Sequence, residues 1–327
     1  MRAVVLDGVD GPLRVTERDR PAAGPGELLV RIGASGVNPL DTKIRAGRAP
    51  HARRVFPAVP GLDMAGTVVE VGPGVTGFAP GDEVYGMTGG AGDLQGSLAQ
   101  YAAVDARLSA RKPPSLSMRE AAALPLVVIT AWEGLVLRAG VAAGQKVLVH
   151  GGAGGIGHVA VQIARWRGAE VFATSSPHHA DVVRSLGAVP VDHSATPVAD
   201  YVAQYTGGQG FDVVFDTVGG AVLDASFSAV RTYTGHVVSA QWGSHGISPL
   251  CFRGAAYSGV FTLAPLLSGH GRQFQGDILR EAAALVEAGA LRPRLDPRRF
   301  TLDSVTDAYA AVEHGPTAGK VVVDVDH

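Results

Sequence analysis

The chain has 327 residues, 46% of them hydrophobic and 18% charged, with a formal net charge of −2. That length accommodates two domains with separate cores, and that charge argues against a surface for nucleic acid or for polybasic membrane binding. The single cysteine, Cys251, excludes an internal disulfide and a cysteine-built zinc site. Met1-Arg2-Ala3-Val4-Val5-Leu6-Asp7 lacks the apolar stretch of a signal peptide, and the run Leu124 to Ile129 is too short to span a bilayer. A cytoplasmic protein is expected.

From residue 1 to about 110, short strands alternate with turn chemistry. Leu28 to Ile32, Gly66 to Val71 and Asp82 to Tyr85 are the clearest strands, with Pro25-Gly26, Gly72-Pro73-Gly74 and Pro80-Gly81-Asp82 between them. This is the pattern of a mainly antiparallel, barrel-like domain. Arg119 to Leu124 reads as an alanine-rich helix capped by Ser117. From about 124 to 265, strands (Val147 to Val149, Glu170 to Thr174, Val213 to Asp216, Gly235 to Ser239) alternate with helical pieces such as Val159 to Arg167 and His179 to Leu186. Such alternation predicts a parallel sheet wound on both faces. Helices at Asp277 to Glu287 and Ser304 to Glu313, then a strand from Lys320 to Val325, form a tail expected to rejoin the first domain. The expected division is therefore 1–123 with 266–327, and 124–265.

The strongest local signal is Lys146-Val147-Leu148-Val149-His150-Gly151-Gly152-Ala153-Gly154-Gly155-Ile156-Gly157, followed by helical character. Gly152, Gly154 and Gly157 have the G-x-G-x-x-G spacing in the strand–turn–helix context that a dinucleotide fingerprint needs. The first is expected to allow the turn, the second to admit a pyrophosphate and the third to let helix and strand pack closely. Ala153, Gly155 and Ile156 complete the loop, whose amides meet the pyrophosphate at the helix N-terminus. After Thr174 comes Ser175-Ser176-Pro177-His178-His179, with no acid until Asp181. A carboxylate there would bind a ribose 2′-hydroxyl, whereas Ser175, Ser176, His179 and nearby Arg184 suit a 2′-phosphate, so NADPH is expected. A solvated helix face is the other reading of Arg184. Asp216-Thr217-Val218, at the end of another strand, is expected beside the cofactor, and Asp216 equally suits a helix cap.

The order barrel, nucleotide fold, returning tail is similar to that of the medium-chain dehydrogenase/reductase superfamily. Gly36-Val37-Asn38-Pro39-Leu40-Asp41-Thr42-Lys43, Pro60-Gly61-Leu62-Asp63-Met64-Ala65-Gly66, Pro80-Gly81-Asp82-Glu83-Val84 and Gly319-Lys320-Val321-Val322-Val323 carry the resemblance. Within it the chain most resembles the zinc-independent quinone oxidoreductases and related enone reductases. The resemblance implies an α/β protein, with a GroES-like mainly antiparallel β-barrel domain plus a Rossmann doubly wound parallel-sheet domain. It implies that Asn38, Asp41 and Lys43 are catalytic, that Thr130 lies near the nicotinamide, and that Lys320 reaches the cofactor; Lys43 could orient the substrate carbonyl or contact the cofactor, and a solvated charge at the edge of the barrel is its equal alternative. Ala240 and Gln241 complete the expected cofactor set. The zinc alcohol dehydrogenases of this superfamily have a ligand cysteine where Asn38 stands and Gly-His-Glu where Gly61-Leu62-Asp63 stands, and their four-cysteine lobe has no counterpart. No metal is therefore expected, and without a Lewis acid simple alcohol oxidation is disfavoured. A conjugated carbonyl accepts hydride more easily, because the charge delocalises onto an oxygen that hydrogen bonds can stabilise.

The expected activity is zinc-independent, NADPH-dependent hydride transfer to a small quinone or α,β-unsaturated carbonyl compound. One alternative is an enoyl-thioester reductase, for which a basic groove for the cofactor tail should be visible; the sequence shows none clearly. Another is a non-catalytic NADPH-binding redox sensor, since glycine fingerprints describe binding and not chemistry. No residue stands out as proton donor: Tyr85 is placed for it, but a tyrosine there more often packs. Gly243-Ser244-His245-Gly246 lacks the rest of a triad. The resemblance also implies a homodimer, paired through strands near Tyr233 to Phe261.

Overall fold

The computed structural model describes residues 1–241, 243–315 and 319–325. In chain order its strands are β1 (Arg2–Val5), β2 (Arg14–Glu17), β3 (Glu27–Val37), β4 (Asp63–Val71), β5 (Glu83–Met87), β6 (Tyr101–Asp105), β7 (Ser109–Arg111), β8 (Lys146–His150), β9 (Glu170–Ser175), β10 (Val189–Asp192), β11 (Val213–Asp216), β12 (His236–Ser239), β13 (Ala256–Gly259), β14 (Phe300–Thr301) and β15 (Val321–Asp324). They belong to two compact units, Met1–Ile129 with Thr262–His327, and Thr130–Phe261. The chain passes between units at 129 and 262, where 123 and 266 were expected. Leu126 N–H donates to Asp63 at 2.9 Å, and Thr262 C=O accepts from Gln275 at 2.7 Å, which ties both flanks to the first unit.

The first unit is built on a sheet in the order β14-β15-β3-β4-β5-β7, with β6 also on β3. All its pairings are antiparallel except β14 with β15. β3 runs for 11 residues because bulges at Leu29/Val30 and Ile32/Ala34 bend it around the core. Val30, Ile32, Met64, Val68, Val84 and Val323 fill that core. The tail returns to this unit: β15 pairs with β3, and the helix Val305–His314 adds Ala308 and Tyr309 to the same core. Ser117 caps the helix Met118–Ala122 in a reciprocal box with Glu120, which satisfies two end amides at once.

The second unit is a six-stranded parallel sheet in the order β10-β9-β8-β11-β12-β13. The order reverses between β8 and β11, and in doubly wound sheets ligands bind outside the carboxyl ends of the strands at such a point. Leu148, Phe172, Val214 and Val237 form one apolar face, covered by Tyr201 and Val202 of the helix Val198–Thr206 and by Leu223 and Phe227 of the helix Ala221–Ala229. β10 and β13 are the two edges. Neither has the apolar run of a central strand: β10 carries Pro190, tolerated only at an edge, and β13 reads Ala-Tyr-Ser-Gly.

Candidate active site

The nucleotide turn follows directly from its glycines, with one change of role. Val147, Leu148 and Val149 are fully buried, so β8 is anchored until His150. The residue that then takes the left-handed conformation is Gly151, at φ +72°, and not Gly152. Gly152 is required instead by close packing, because a Cβ there would lie 2.4 Å from that of Ala173. At Gly157 a Cβ would meet Gly151 C=O at 2.0 Å and push the helix Gly157–Trp166 off the strand. At Gly154 a Cβ would meet only Gly151 C=O, at 3.1 Å, so that side of the loop is open. Gly152 N–H donates to Thr174 C=O and Gly154 N–H to Gly151 C=O, both at 2.9 Å, which fixes the loop from within. Ala153, Gly155 and Ile156 are partly exposed on it. Backbone without side chains, at the start of a helix, fits a pyrophosphate.

The other expected cofactor residues of this unit lie at the carboxyl ends of neighbouring strands. Ser175 ends β9, and Ser176 follows it with its hydroxyl 3.0 Å from His179 Nδ1. Arg184 is turned to Asp181, at 2.6 Å and in solvent. Asp216 is fully buried; its carboxylate accepts from the amides of Val218 (2.9 Å) and Gly219 (3.0 Å) and from Ser239 (2.9 Å). It thus holds its own turn rather than capping the next helix, whose N-cap is Gly220. Thr217 donates to His150 C=O at 2.7 Å, Val218 is exposed, and Gln241 closes on Ser239 beside Ala240. His150, opposite Asp216 in register, was not anticipated. Its ring is buried with Nδ1 3.2 Å from Thr174 Oγ1 and Nε2 unpartnered; burial pushes its pKa down to about 4, against the pull of Asp216. Thr130 is buried in the helix Pro125–Trp132.

In the first unit, Asn38 and Asp41 are drawn together with Asp63 and Lys320, all at most 4% exposed. Asn38 ends the β3 corner, where Pro39 opens the short helix Pro39–Arg45. The Asp41 carboxylate reaches back to Asn38 N–H at 2.8 Å and across to Leu62 N–H at 3.1 Å. The Asn38 amide donates to Asp63 at 2.9 Å, while Lys320 donates to Asn38 Oδ1 and to Val37 C=O. Burial raises Asp41 to about 7 and Asp63 to about 6, and it lowers Lys320, whose attraction opposes both shifts. Lys320, expected at the cofactor, has its ammonium in this cluster because two buried acids stand there. Lys43 lies apart, partly exposed on the helix, without a side-chain ion pair among the described residues. Tyr85 packs: it is fully buried and donates to Leu279 C=O at 2.5 Å. His245 pairs with Asp224 at 3.0 Å. Asp63 was visible in the sequence only as part of Gly61-Leu62-Asp63; nothing local signalled its bond to Asn38.

A doubly wound sheet with a phosphate-ready turn, in one chain with an antiparallel barrel and a returning tail, defines a nicotinamide-nucleotide oxidoreductase of the two-domain kind. Residues 24–114 match the family model "Alcohol dehydrogenase GroES-like domain", and residues 186–323 match "Zinc-binding dehydrogenase". The chain is 35% identical over 311 residues to an NADPH-dependent alkenal/one oxidoreductase, chloroplastic, of Arabidopsis thaliana, covering 93% of this chain and 73% of that protein. It is 37% identical over 299 residues to the spectinabilin polyketide synthase system protein NorB of Streptomyces orinoci, spanning 91% of this chain and 13% of that protein. Among solved structures, an alcohol dehydrogenase superfamily protein from Novosphingobium aromaticivorans superposes with a TM-score of 0.97 at 56% identity over both full chains. The quinone oxidoreductase of Coxiella burnetii superposes with a TM-score of 0.84 at 28% identity, covering 99% of each chain. The chain belongs to the medium-chain dehydrogenase/reductase superfamily.

One family description names zinc, and the residues do not fit it. Leu62 offers no donor atom, and the Asn38 oxygen already faces the Lys320 ammonium, which would repel a cation. Among the described residues no group of three His, Cys, Asp or Glu side chains can hold a metal ion. No helix among them is long and apolar enough to cross a membrane.

Proposed function

We propose that this chain is a zinc-independent, NADPH-dependent oxidoreductase of quinones or α,β-unsaturated carbonyl compounds. The observation that carries the proposal is the saturated Asn38–Asp63–Lys320 cluster, where an ammonium sits in place of a Lewis acid. Chemistry without a metal needs an acceptor whose charge delocalises, and a conjugated carbonyl is one. NADPH held at the nucleotide turn would supply hydride to the β-carbon of an enone, leaving an enolate whose charge rests on the carbonyl oxygen and whose α-carbon takes a proton from solvent.

The chain's own residues position these groups. The open side of the loop around Gly154 and Gly155, at the start of the helix, receives the pyrophosphate, and Ser175, Ser176 and His179 meet the 2′-phosphate in place of a carboxylate that would repel it. Asp216, Thr217, Val218, Ala240 and Gln241 shape the edge on which the ribose and nicotinamide lie, and Thr130 joins that wall. Asn38, Asp41 and Lys320 act by position: they lock the corner from which Lys43 projects. Lys43, without an ion pair of its own, is the donor we assign to the substrate carbonyl.

The test is NADPH oxidation by chelator-treated protein across a panel of quinones and enones, with NADH alongside. Turnover that survives chelation and favours NADPH supports the reading. Tight NADPH binding without turnover replaces it with the redox-sensor reading, and activity lost on chelation refutes the metal-free mechanism. We assign the working unit as a cytoplasmic homodimer joined at β13, an edge strand that exposes Tyr257 next to the exposed Phe252 and Phe261. A monomeric mass by analytical ultracentrifugation refutes that pairing.

A further inference from the structure

Neighbouring strands of the parallel sheet carry a row of buried polar residues at their carboxyl ends. In sheet order these are Thr174 on β9, His150 on β8, Asp216 on β11 and Ser239 on β12, each at most 4% exposed. Asp216 stands in register with both His150 and Ser239, and Val149 with Ala173, which sets Thr174 beside His150. One residue earlier the same strands carry Ala173, Val149, Phe215 and Val238, all buried and apolar. The polarity begins where the turns begin.

Thr174, Asp216 and Ser239 each hold the amides of a turn. Thr174 Oγ1 accepts from Gly151 N–H at 3.1 Å, Asp216 from Val218 and Gly219, and Ser239 Oγ from Gln241 N–H at 3.1 Å. Those turns follow β8, β11 and β12, and they are the ones assigned to the cofactor above. The His150 ring holds no amide. Its Nδ1 lies 3.2 Å from Thr174 Oγ1, and its Nε2 is buried with no hydrogen-bond partner among the described residues. An apolar side chain would fill the same place without burying an unpaired nitrogen, so the contribution of the ring lies at Nδ1.

A hydroxyl has one hydrogen and two lone pairs. Gly151 N–H takes a lone pair of Thr174, and the hydrogen goes to Nδ1, because burial keeps the ring neutral against the pull of Asp216. That bond turns the hydroxyl so that its lone pair faces Gly151. Thr174 then grips the turn twice, since its C=O accepts from Gly152 N–H at 2.9 Å. Gly151 is the left-handed residue of the turn, and its C=O accepts from Gly154 N–H, so its peptide sets the course of the loop.

We infer that His150 is a positioning residue for the nicotinamide nucleotide, acting through the Thr174 hydroxyl on the Gly151 amide and so on the loop that receives the pyrophosphate. The inference rests on the reading of that loop given above and adds to it a side chain that acts without touching the cofactor.

The test is fluorescence titration of NADPH into the full chain, with KM and kcat for one enone alongside. His150→Asn keeps an acceptor at the place of Nδ1, whereas His150→Gln and His150→Leu do not. The Gln and Leu variants should bind NADPH about tenfold more weakly, the effect of one lost hydrogen bond at a buried turn. KM for NADPH should rise as much, while kcat at saturation stays within about twofold. The Asn variant should remain within about threefold of the wild type. In a Thr174→Val background, His150→Gln should add nothing, since the hydroxyl through which the ring acts is gone. Should either the Gln or the Leu variant not fold, the other carries the comparison. Wild-type affinity without the Nδ1 acceptor overturns the inference alone, as does an Asn variant as weak as the others. So does a full second loss on the valine background, or a fall in kcat at unchanged KM. A wild-type protein that binds neither NADPH nor NADH overturns the reading of the loop and the inference with it.

Discussion

Replacing Lys320 with methionine separates charge from packing at the barrel cluster. Methionine nearly keeps the side chain's length and removes the ammonium that faces Asn38, Asp41 and Asp63. Asp41 and Asp63 sit at about 7 and about 6, above the usual carboxyl value, with burial the main cause. Groups shifted upward bind protons more tightly in the folded state, so what they add to stability is complete below pH 4 and lost as pH rises toward 7. At pH 5 both carboxyls hold their protons, and the variant loses only the ammonium's hydrogen bonds, about 1–3 kcal/mol at most. At pH 8 both are ionised, and stranding them without their cation costs about 3–5 kcal/mol, limited by proton uptake at about 1.4 kcal/mol per pH unit. The extra loss of about 2 kcal/mol at pH 8 corresponds to about 4–8 °C in Tm for a domain of this size. Thermal unfolding of both proteins at pH 5 and pH 8 measures it directly. An equal drop in Tm at the two pH values refutes the coupling of Lys320 to ionised acids.

Gly157→Ala drives a methyl into Gly151 C=O, 2.0 Å away, so NADPH affinity by fluorescence titration should fall about tenfold or more, with about 1–3 kcal/mol of stability lost. Normal affinity would show that the turn does not depend on that approach. Ser176→Asp places a carboxylate where a 2′-phosphate is expected, and kcat/KM for NADPH relative to NADH should drop about tenfold; an unchanged ratio removes Ser176 from the site. His150 is depressed to about 4 by burial, so the stability it permits is present above about pH 6.5 and lost as pH falls toward 4. His150→Gln should flatten the acid limb of the stability profile by up to about 3 kcal/mol, read by urea unfolding between pH 7 and pH 4. An identical acid limb would mean that His150 takes up its proton elsewhere on the scale.

The parts of the fold that were legible in the sequence are those decided by short-range physics. β8, β9 and β11 are apolar runs that end in turn residues, and Ser117 with Glu120 is a cap written in four positions. β10 and β13 were not, because edge strands need no continuous apolar signal and are defined by a neighbour distant in the chain. The same distinction governs the site. The glycine spacing localised the nucleotide turn, but which glycine turns left-handed depends on how closely β9 approaches, and so Gly151 takes the turn expected of Gly152. Asn38 and Asp41 were legible only through the resemblance that their segment carries. Their partners Asp63 and Lys320 lie 25 and 282 residues from Asn38, and no local pattern spans that distance.

Those long separations explain what the cluster contributes. It joins the end of β3, the start of β4 and the residue before β15, three segments that meet only when the tail has returned to the barrel. Its charges are not arranged for cheap burial: two carboxyls share one ammonium, and the raised Asp41 shows that the balance is incomplete near neutral pH. A cation in this place would have to displace Lys320 from Asn38 before it met a ligand. The residues at 38 and 62 thus fit a metal poorly for more than the lack of a cysteine and a histidine, because the Lys320 ammonium already lies against Asn38. Both acids are committed to backbone amides and to Asn38, so on the proposed reading the proton at the α-carbon comes from water. On the same reading the corner gives rigidity to the base of Lys43, which a hydrogen-bond donor needs to stabilise charge that forms only during hydride transfer.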